Sequence, residues 1–312
     1  MKKSLLALAV LAAAGAAQAQ VTIYGNITQG WSNTDVSDAT TSFNNTDLRS
    51  TSVLGFKGSE DLGGGLKAGF VLEGDFISNS GTTSTPMFNR KSYLELSGGF
   101  GAIQLGRVYT ATEQEEGFSG MGYNLLDVTT EKAGGKLSEA AAYTSPNFMG
   151  AEVFVTASHG NNVAGTTATA TGQQTGYGVR FRQGAFYASM AYDKQNISAT
   201  AMDDEFTNLN FGYKVGALEA RLQVASATTQ NVDSDMTKIG AAYDLGAGVK
   251  VVATYGNYES TGTAANEFDL MGFAIEKNLS KRTAIYAGYR SKDLEGTASD
   301  ETVTAIGIDH KF

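Results

Sequence analysis

The chain has 312 residues, with 23 basic and 32 acidic side chains, a formal net charge of −9 and no cysteine. The acidic balance disfavours nucleic acid as a partner, and the missing thiols exclude disulfides and thiolate metal sites. Thirty-eight glycines, two prolines, 16 Phe, 14 Tyr and one Trp avoid the residue that breaks a β-ladder while supplying turn formers and rings, which suits many strands joined by tight turns.

The chain opens with "MKKSLLALAVLAAAGAAQAQ", where Lys2 and Lys3 precede an apolar run from Leu5 and Ala17-Gln18-Ala19 forms a small-x-small cleavage site. This pattern predicts a secretory signal peptide over residues 1–19 and a mature domain over 20–312. The apolar run is shorter than the ~20 residues a helix needs to cross a bilayer. Without the two leader lysines the balance is 21 bases against 32 acids, a net charge of −11. No later run resembles a transmembrane helix, so the exported product is soluble or crosses a membrane as strands. Only a closed barrel can do the latter, because every backbone polar group facing hydrocarbon must be paired.

Period-2 alternation places strands near 21–31, 47–59, 65–78, 87–97, 101–109, 138–146, 150–159, 176–183, 185–194, 205–214, 217–228, 236–244, 248–259, 266–277, 281–292 and 301–312. In "GLKAGFVLEGDF", Leu66, Ala68, Phe70, Leu72, Gly74 and Phe76 share one face, and Lys67, Gly69, Val71, Glu73 and Asp75 the other. In "ALEARLQVAS", Leu218, Ala220, Leu222 and Val224 oppose Glu219, Arg221 and Gln223, and "GVKVVATYG" repeats the pattern. About sixteen strands is an even count within the range of bacterial outer-membrane barrels.

The connections alternate between short turns such as "SGGFG", "RQG", "KVG" and "NLSKR", and long polar loops such as "NNVAGTTATATGQQT". Short turns at one rim and long loops at the other are the pattern of an outer-membrane barrel. One connection stands apart: "TATEQEEGFSGMGYNLLDVTTEKAGGKL" carries Phe118, Met121, Leu125 and Leu126 beside Glu113, Glu115, Glu116 and Asp127. A loop of that length has a function or lacks order. Its apolar residues predict that it packs against a surface, and inside a barrel that surface is the inner wall. At the end, "TAIGIDHKF" sets Ile306, Ile308, His310 and Phe312 on the lipid side and Ala305, Gly307, Asp309 and Lys311 on the lumen side. Tyr255, Tyr289 and Phe312 fit the interfacial aromatic girdles.

The stretches "VTIYGNITQG", "LGFKGSEDLGGGLKAGFVLEGDF", "FNRKSYLELSGGFGAIQLGR", "YTSPNF" and the terminal aromatic strand together resemble the Gram-negative general diffusion porins of proteobacterial outer membranes. The resemblance spans essentially the whole mature chain. It implies an all-β fold, a transmembrane antiparallel β-barrel of about 16 strands with its long third loop, roughly residues 110–136, folded into the lumen. It also implies a homotrimer, a water-filled channel for ions and small hydrophilic solutes, and acids on the loop facing bases on the opposite wall. Outer-membrane lipid, lipopolysaccharide and the barrel-assembly machinery follow as partners, with Phe312 as the assembly signal, and no cofactor or metal is implied.

Matched residue by residue, Arg90 in "FNRK" is a wall arginine, Lys57 in "GFKG" a basic position, Glu73 in "VLEGDF" an inward acid, and Arg107 in "LGRVY" also matches. Glu113, Glu115, Glu116 and Asp127 are the loop's candidate acids. Relatives commonly carry arginine where this chain has Val53 and Ala142, and Arg49, four residues before Val53, is the candidate substitute. The missing arginines and the charge of −11 predict a cation-preferring pore. An enzyme is disfavoured: His159 and His310 are the only histidines, and neither is marked for a nucleophile–base pair. The alternative is a substrate-specific outer-membrane channel, which favours a track of lumen rings.

Overall fold

A computed structural model of the protein describes residues 21–36, 42–45, 50–116, 121, 123–127, 135–159, 173–196, 203–229, 231–262, 267–295 and 299–312. The expected signal peptide, residues 1–19, and Arg49 lie outside the described residues.

Sixteen long strands follow one another along the chain: β1 (Thr22–Val36), β2 (Ser52–Gly63), β3 (Leu66–Ile77), β4 (Lys91–Gly98), β5 (Gly101–Tyr109), β6 (Lys136–Thr144), β7 (Ala151–Ser158) and β8 (Gln174–Gln183). The second half holds β9 (Phe186–Gln195), β10 (Asp204–Val215), β11 (Leu218–Thr229), β12 (Val232–Gly246), β13 (Val249–Ser260), β14 (Phe268–Asn278), β15 (Thr283–Leu294) and β16 (Glu301–Lys311). Each pairs antiparallel with its sequence neighbour, and β1 pairs with β16 through Asn26↔Lys311 to Val36↔Glu301, closing the sheet on itself. Two short ladders add to the expected set. Ser42–Asn45 pairs with β1 and Thr82–Thr83 with β3, both within loop connections. The strand expected from residue 47 is described from Ser52 onward.

Closure leaves no unpaired edge, which is what a strand structure in hydrocarbon requires. The two faces divide as the alternation predicts. Leu94, Leu105, Ile306 and Met271 are exposed although large and apolar, whereas Thr28, Asn210, Asp193 and Lys238 are buried although polar or charged. That inversion is the signature of a wall with lipid outside and a polar lumen inside. The register keeps it consistent from strand to strand: outward Leu94 lies opposite outward Leu105, and inward Glu95 opposite inward Gln104.

The short turns all fall at one rim. Between β2 and β3 the chain reverses through Gly63, Gly64 and Gly65, whose φ angles of 82°, 62° and 83° lie where L side chains are strained. The long segment after β5 contains a one-and-a-half-turn helix, α1 (Ala111–Glu116), and a 3₁₀ turn at Asn124–Leu126. Both lie against inward-facing residues, so these two elements occupy the inner side of the wall.

Candidate functional site in the lumen

Helix α1 begins where local sequence and distant wall agree. The hydroxyl of Thr110 accepts the N–H of Glu113 at 3.1 Å, a side-chain cap for one of the donors left open at a helix start. Asp193, on the inner face of β9 and only 1% exposed, supplies the rest. Its carboxylate accepts the Ala111 N–H at 3.1 Å, the Thr112 N–H at 2.7 Å and the Thr112 hydroxyl at 2.5 Å. Asn208 and Asn210 of β10 donate to the carbonyls of Thr112 (3.0 Å) and Glu115 (3.4 Å). The helix is thus fixed to the wall by buried polar contacts.

The 3₁₀ turn is fixed by shape. Leu125 and Leu126 pack with Val252, Ala274, Tyr286, Val303 and Ala305 of β13 to β16. Two wall glycines make room for them. A Cβ on Gly288 would stand 2.6 Å from Leu125 Cδ2, and one on Gly272 would collide with Leu126 Cδ2. Tyr123 donates to Glu276 at 2.8 Å, and Thr254 donates to the Leu126 carbonyl at 3.3 Å. Leu125 and Leu126 thus pack on the inner wall, whereas Phe118 lies outside the described residues.

The candidate acids do not face their bases across open space; they are bonded to them. Glu115 is 4% exposed and accepts from Arg180 at 3.3 Å and from the Tyr187 hydroxyl. Burial raises its carboxyl above the usual range, against the Ser189 hydroxyl and Arg180, which pull it down. Asp127 is paired with the buried Lys238 of β12. Glu113 lies 3.9 Å from Lys136 of β6. The backbone of Glu116 closes α1.

On the facing arc, Glu73 of β3 is half-enclosed by bases. Arg90 reaches it at 2.9 Å and Lys91 at 3.9 Å, while the Tyr24 hydroxyl donates to it at 2.7 Å. Lys57 stands 5.0 Å over the ring of Tyr24. Tyr109 carries three cations around its ring, Lys91 at 4.6 Å, Arg90 at 5.8 Å and Lys136 at 6.0 Å. A continuous chain of charge therefore runs Tyr24, Glu73, Arg90 and Lys91, Tyr109, Lys136, Glu113, joining the wall to α1. Arg107 stands apart from it, at the register shift between Gly106 and Val108, where its guanidinium donates to the Asn89 carbonyl and the Ser138 hydroxyl.

Sequence reasoning missed Lys91, Lys136, Arg180, Arg182 and Lys238. The inward parity of "MTKIG" and "GVRFR" carried the signal for Lys238, Arg180 and Arg182. Arg182 packs its guanidinium 4.6 Å over the Tyr187 ring, and the register row Arg182, Tyr187, Gly212, Arg221 crosses four adjacent strands. The polar recess beside it measures about 400 Å³.

Comparison with known proteins adds to this geometry. A family model for Gram-negative porins matches residues 5–297. Outer membrane porin protein 32 of Delftia acidovorans is 32% identical, with 100% of both chains covered. Major outer membrane protein P.IB of Neisseria meningitidis (strain H44/76) is 29% identical at the same coverage. Among solved structures, an anion-selective porin from Comamonas acidovorans has a TM-score of 0.75 at 24% identity, covering 95% of this chain and 100% of that one. OmpT of Vibrio cholerae, in a trimer form, has a TM-score of 0.68 at 13% identity, covering 94% and 99%.

Proposed function

The chain belongs to the Gram-negative porin family and is an outer-membrane β-barrel, and on that premise we propose that its lumen conducts ions and small hydrophilic solutes by passive diffusion past a constriction built on residues 110–136. The observation that carries this reading is a segment anchored to the inner face of a closed barrel at two separate arcs, by Asp193 on one and by Leu125 and Leu126 on the other. Nothing in such transport requires a catalytic step. The solute needs a rigid opening of fixed size and a fixed charge pattern, and charges at a narrow, partly dehydrated point are screened less than charges in bulk water. Lys57, Glu73, Arg90, Lys91, Glu113 and Lys136 are the residues proposed to set that pattern.

The cation preference expected from Val53, Ala142 and the net charge is not supported. Glu113, Glu115 and Asp127 each have a lysine or arginine partner, so the loop acids add little net charge. Lys57 has a ring contact but no acid partner among the described residues. Together with the similarity to a Comamonas porin described as anion-selective, this favours a preference for anions. The remaining elements of the reading are a signal peptide over residues 1–19, a homotrimer in contact with lipid and lipopolysaccharide, short turns toward the periplasm, and recognition of Phe312 by the assembly machinery.

The test is single-channel conductance of the purified protein in a planar bilayer, with reversal potential in a salt gradient. Ohmic conductance unaffected by sugars supports general diffusion. Saturable block by a sugar would establish the substrate-specific alternative. A reversal potential of cationic sign would overturn the anion preference while leaving the channel reading intact.

A further inference from the structure

A groove of about 610 Å³ lies on the outer wall, lined by Trp31 of β1, Ile275 of β14, Ile285 and Ala287 of β15, and Ile306 and Ile308 of β16. Its shape follows from register. Ile275, Ala287, Ile306 and Trp31 form one outward row across the four strands, and Lys277, Ile285, Ile308 and Gln29 form the row below it, toward the short-turn rim. Ala287 is the small residue between larger neighbours, and it makes the depression.

The lower end of the groove is basic. Lys277 faces outward in the lower row and bends to donate to the Ala247 carbonyl at the β12–β13 turn, which brings its ammonium to the rim. The next turn is "NLSKR", the only short turn of the barrel with two consecutive cations, Lys281 and Arg282. Lys281 and Arg282 have no acid partner among the described residues.

We propose that this face binds one anionic phospholipid of the periplasmic leaflet, with an acyl chain along the Ile–Ala–Ile groove and its phosphate among Lys277, Lys281 and Arg282. An apolar groove that ends in clustered cations at the headgroup level offers both halves of such a lipid their matching surface, and each cation near an anionic headgroup adds to affinity. Lipid A is disfavoured by position, because the cations lie at the short-turn rim and the long loops at the other. The proposal rests on the orientation given above, short turns toward the periplasm, and not on the path of solute through the lumen.

The test is retention of lipid by the purified, assembled protein in mild detergent, read by native mass spectrometry after exposure to equimolar phosphatidylglycerol and phosphatidylcholine. Wild type is expected to retain phosphatidylglycerol preferentially. Lys281→Gln with Arg282→Gln should reduce that preference on the order of thirtyfold, and Ala287→Trp, which fills the groove, should reduce retention of both lipids. Equal retention of the two lipids, or retention indifferent to all three substitutions, would overturn the proposal. So would efficient disulfide cross-linking of Ala287→Cys between chains in the assembled oligomer, which would identify a second copy as the occupant. Conductance of each variant, measured in parallel, separates failure of this site from failure of the channel reading.

Discussion

The ring of Phe312 sits over Gly25. The N–H of Phe312 donates to the Gly25 carbonyl at 3.1 Å and the Gly25 N–H returns a bond to the Phe312 carbonyl at 3.3 Å. A Cβ on Gly25 would approach the ring edge at 2.8 Å. The last residue of the chain is therefore seated in a space left by one of the first described residues, on the outward face where the barrel closes. Deleting Phe312 is expected to reduce assembled barrel in the outer membrane far more than it alters single-channel conductance. Gly25→Ala would drive its methyl into the Val53 carbonyl as well as the ring, and should lower the temperature at which the barrel unfolds on a gel, with overpacking costing about 1–3 kcal/mol. Normal assembly without Phe312 would leave the residue with a packing role alone.

Docking of the 3₁₀ turn depends on absent side chains at Gly272 and Gly288. Gly272→Ala should drive Leu126 from its seat at a cost of about 1–3 kcal/mol, and single-channel recordings should show larger, noisier conductance. Leu126→Ala made on top of Gly272→Ala should restore a quieter channel, because the added methyl then has room. A double-mutant cycle with no coupling would show that the two groups do not meet.

Asp193 holds the start of α1 through three donors. Asp193→Ala removes all three acceptor contacts, leaving buried N–H groups unpaired at about 1–3 kcal/mol. The expected result is frequent closure or flicker at voltages the wild type tolerates, with the barrel's resistance to heat nearly unchanged, because the strand ladders are intact.

Glu115 gives the channel a pH dependence. Burial raises its carboxyl, so the docked state binds a proton more readily than a solvated loop would, and docking is penalised above the raised value and relieved as pH falls through it. As pH falls through that raised value, above the range of an ordinary carboxylate, permeability should shift toward anions as one lumen charge is lost. Glu115→Gln should abolish that component; a variant titrating like wild type would assign the shift to another group.

Charge on the facing arc should govern selectivity. Lys57→Glu is expected to move the reversal potential toward cations by more than Arg107→Gln does, since Arg107 is occupied by the Asn89 carbonyl and the Ser138 hydroxyl. The reverse order would place Arg107, not Lys57, in the solute path.

Much of the barrel was legible because its cause is local. A two-residue period fixes which side chains face lipid, and the lumen parity of Glu73, Arg221 and Asp309 could be read from their neighbours alone. The partners of the loop acids could not. Glu115 meets Arg180 at 65 residues' separation, Asp127 meets Lys238 at 111 and Tyr123 meets Glu276 at 153. Those encounters depend on how far the barrel curls and at what height the segment lands, which no short stretch encodes. The expected cation preference, which rested on the arginines missing at Val53 and Ala142 and on the net charge, lacked this information about which loop acids are paired.

The anchors of the inserted segment have a mechanical consequence. A hoop of sixteen strands resists stretching along its ladders but ovalises easily under lateral pressure from the bilayer. Helix α1 is tied at β9 through Asp193, and the 3₁₀ turn at β14 and β15 through the sockets for Leu126 and Leu125. If these two ties belong to the proposed constriction, they also brace the hoop, and a change that frees either should soften the cross-section as well as widen the opening.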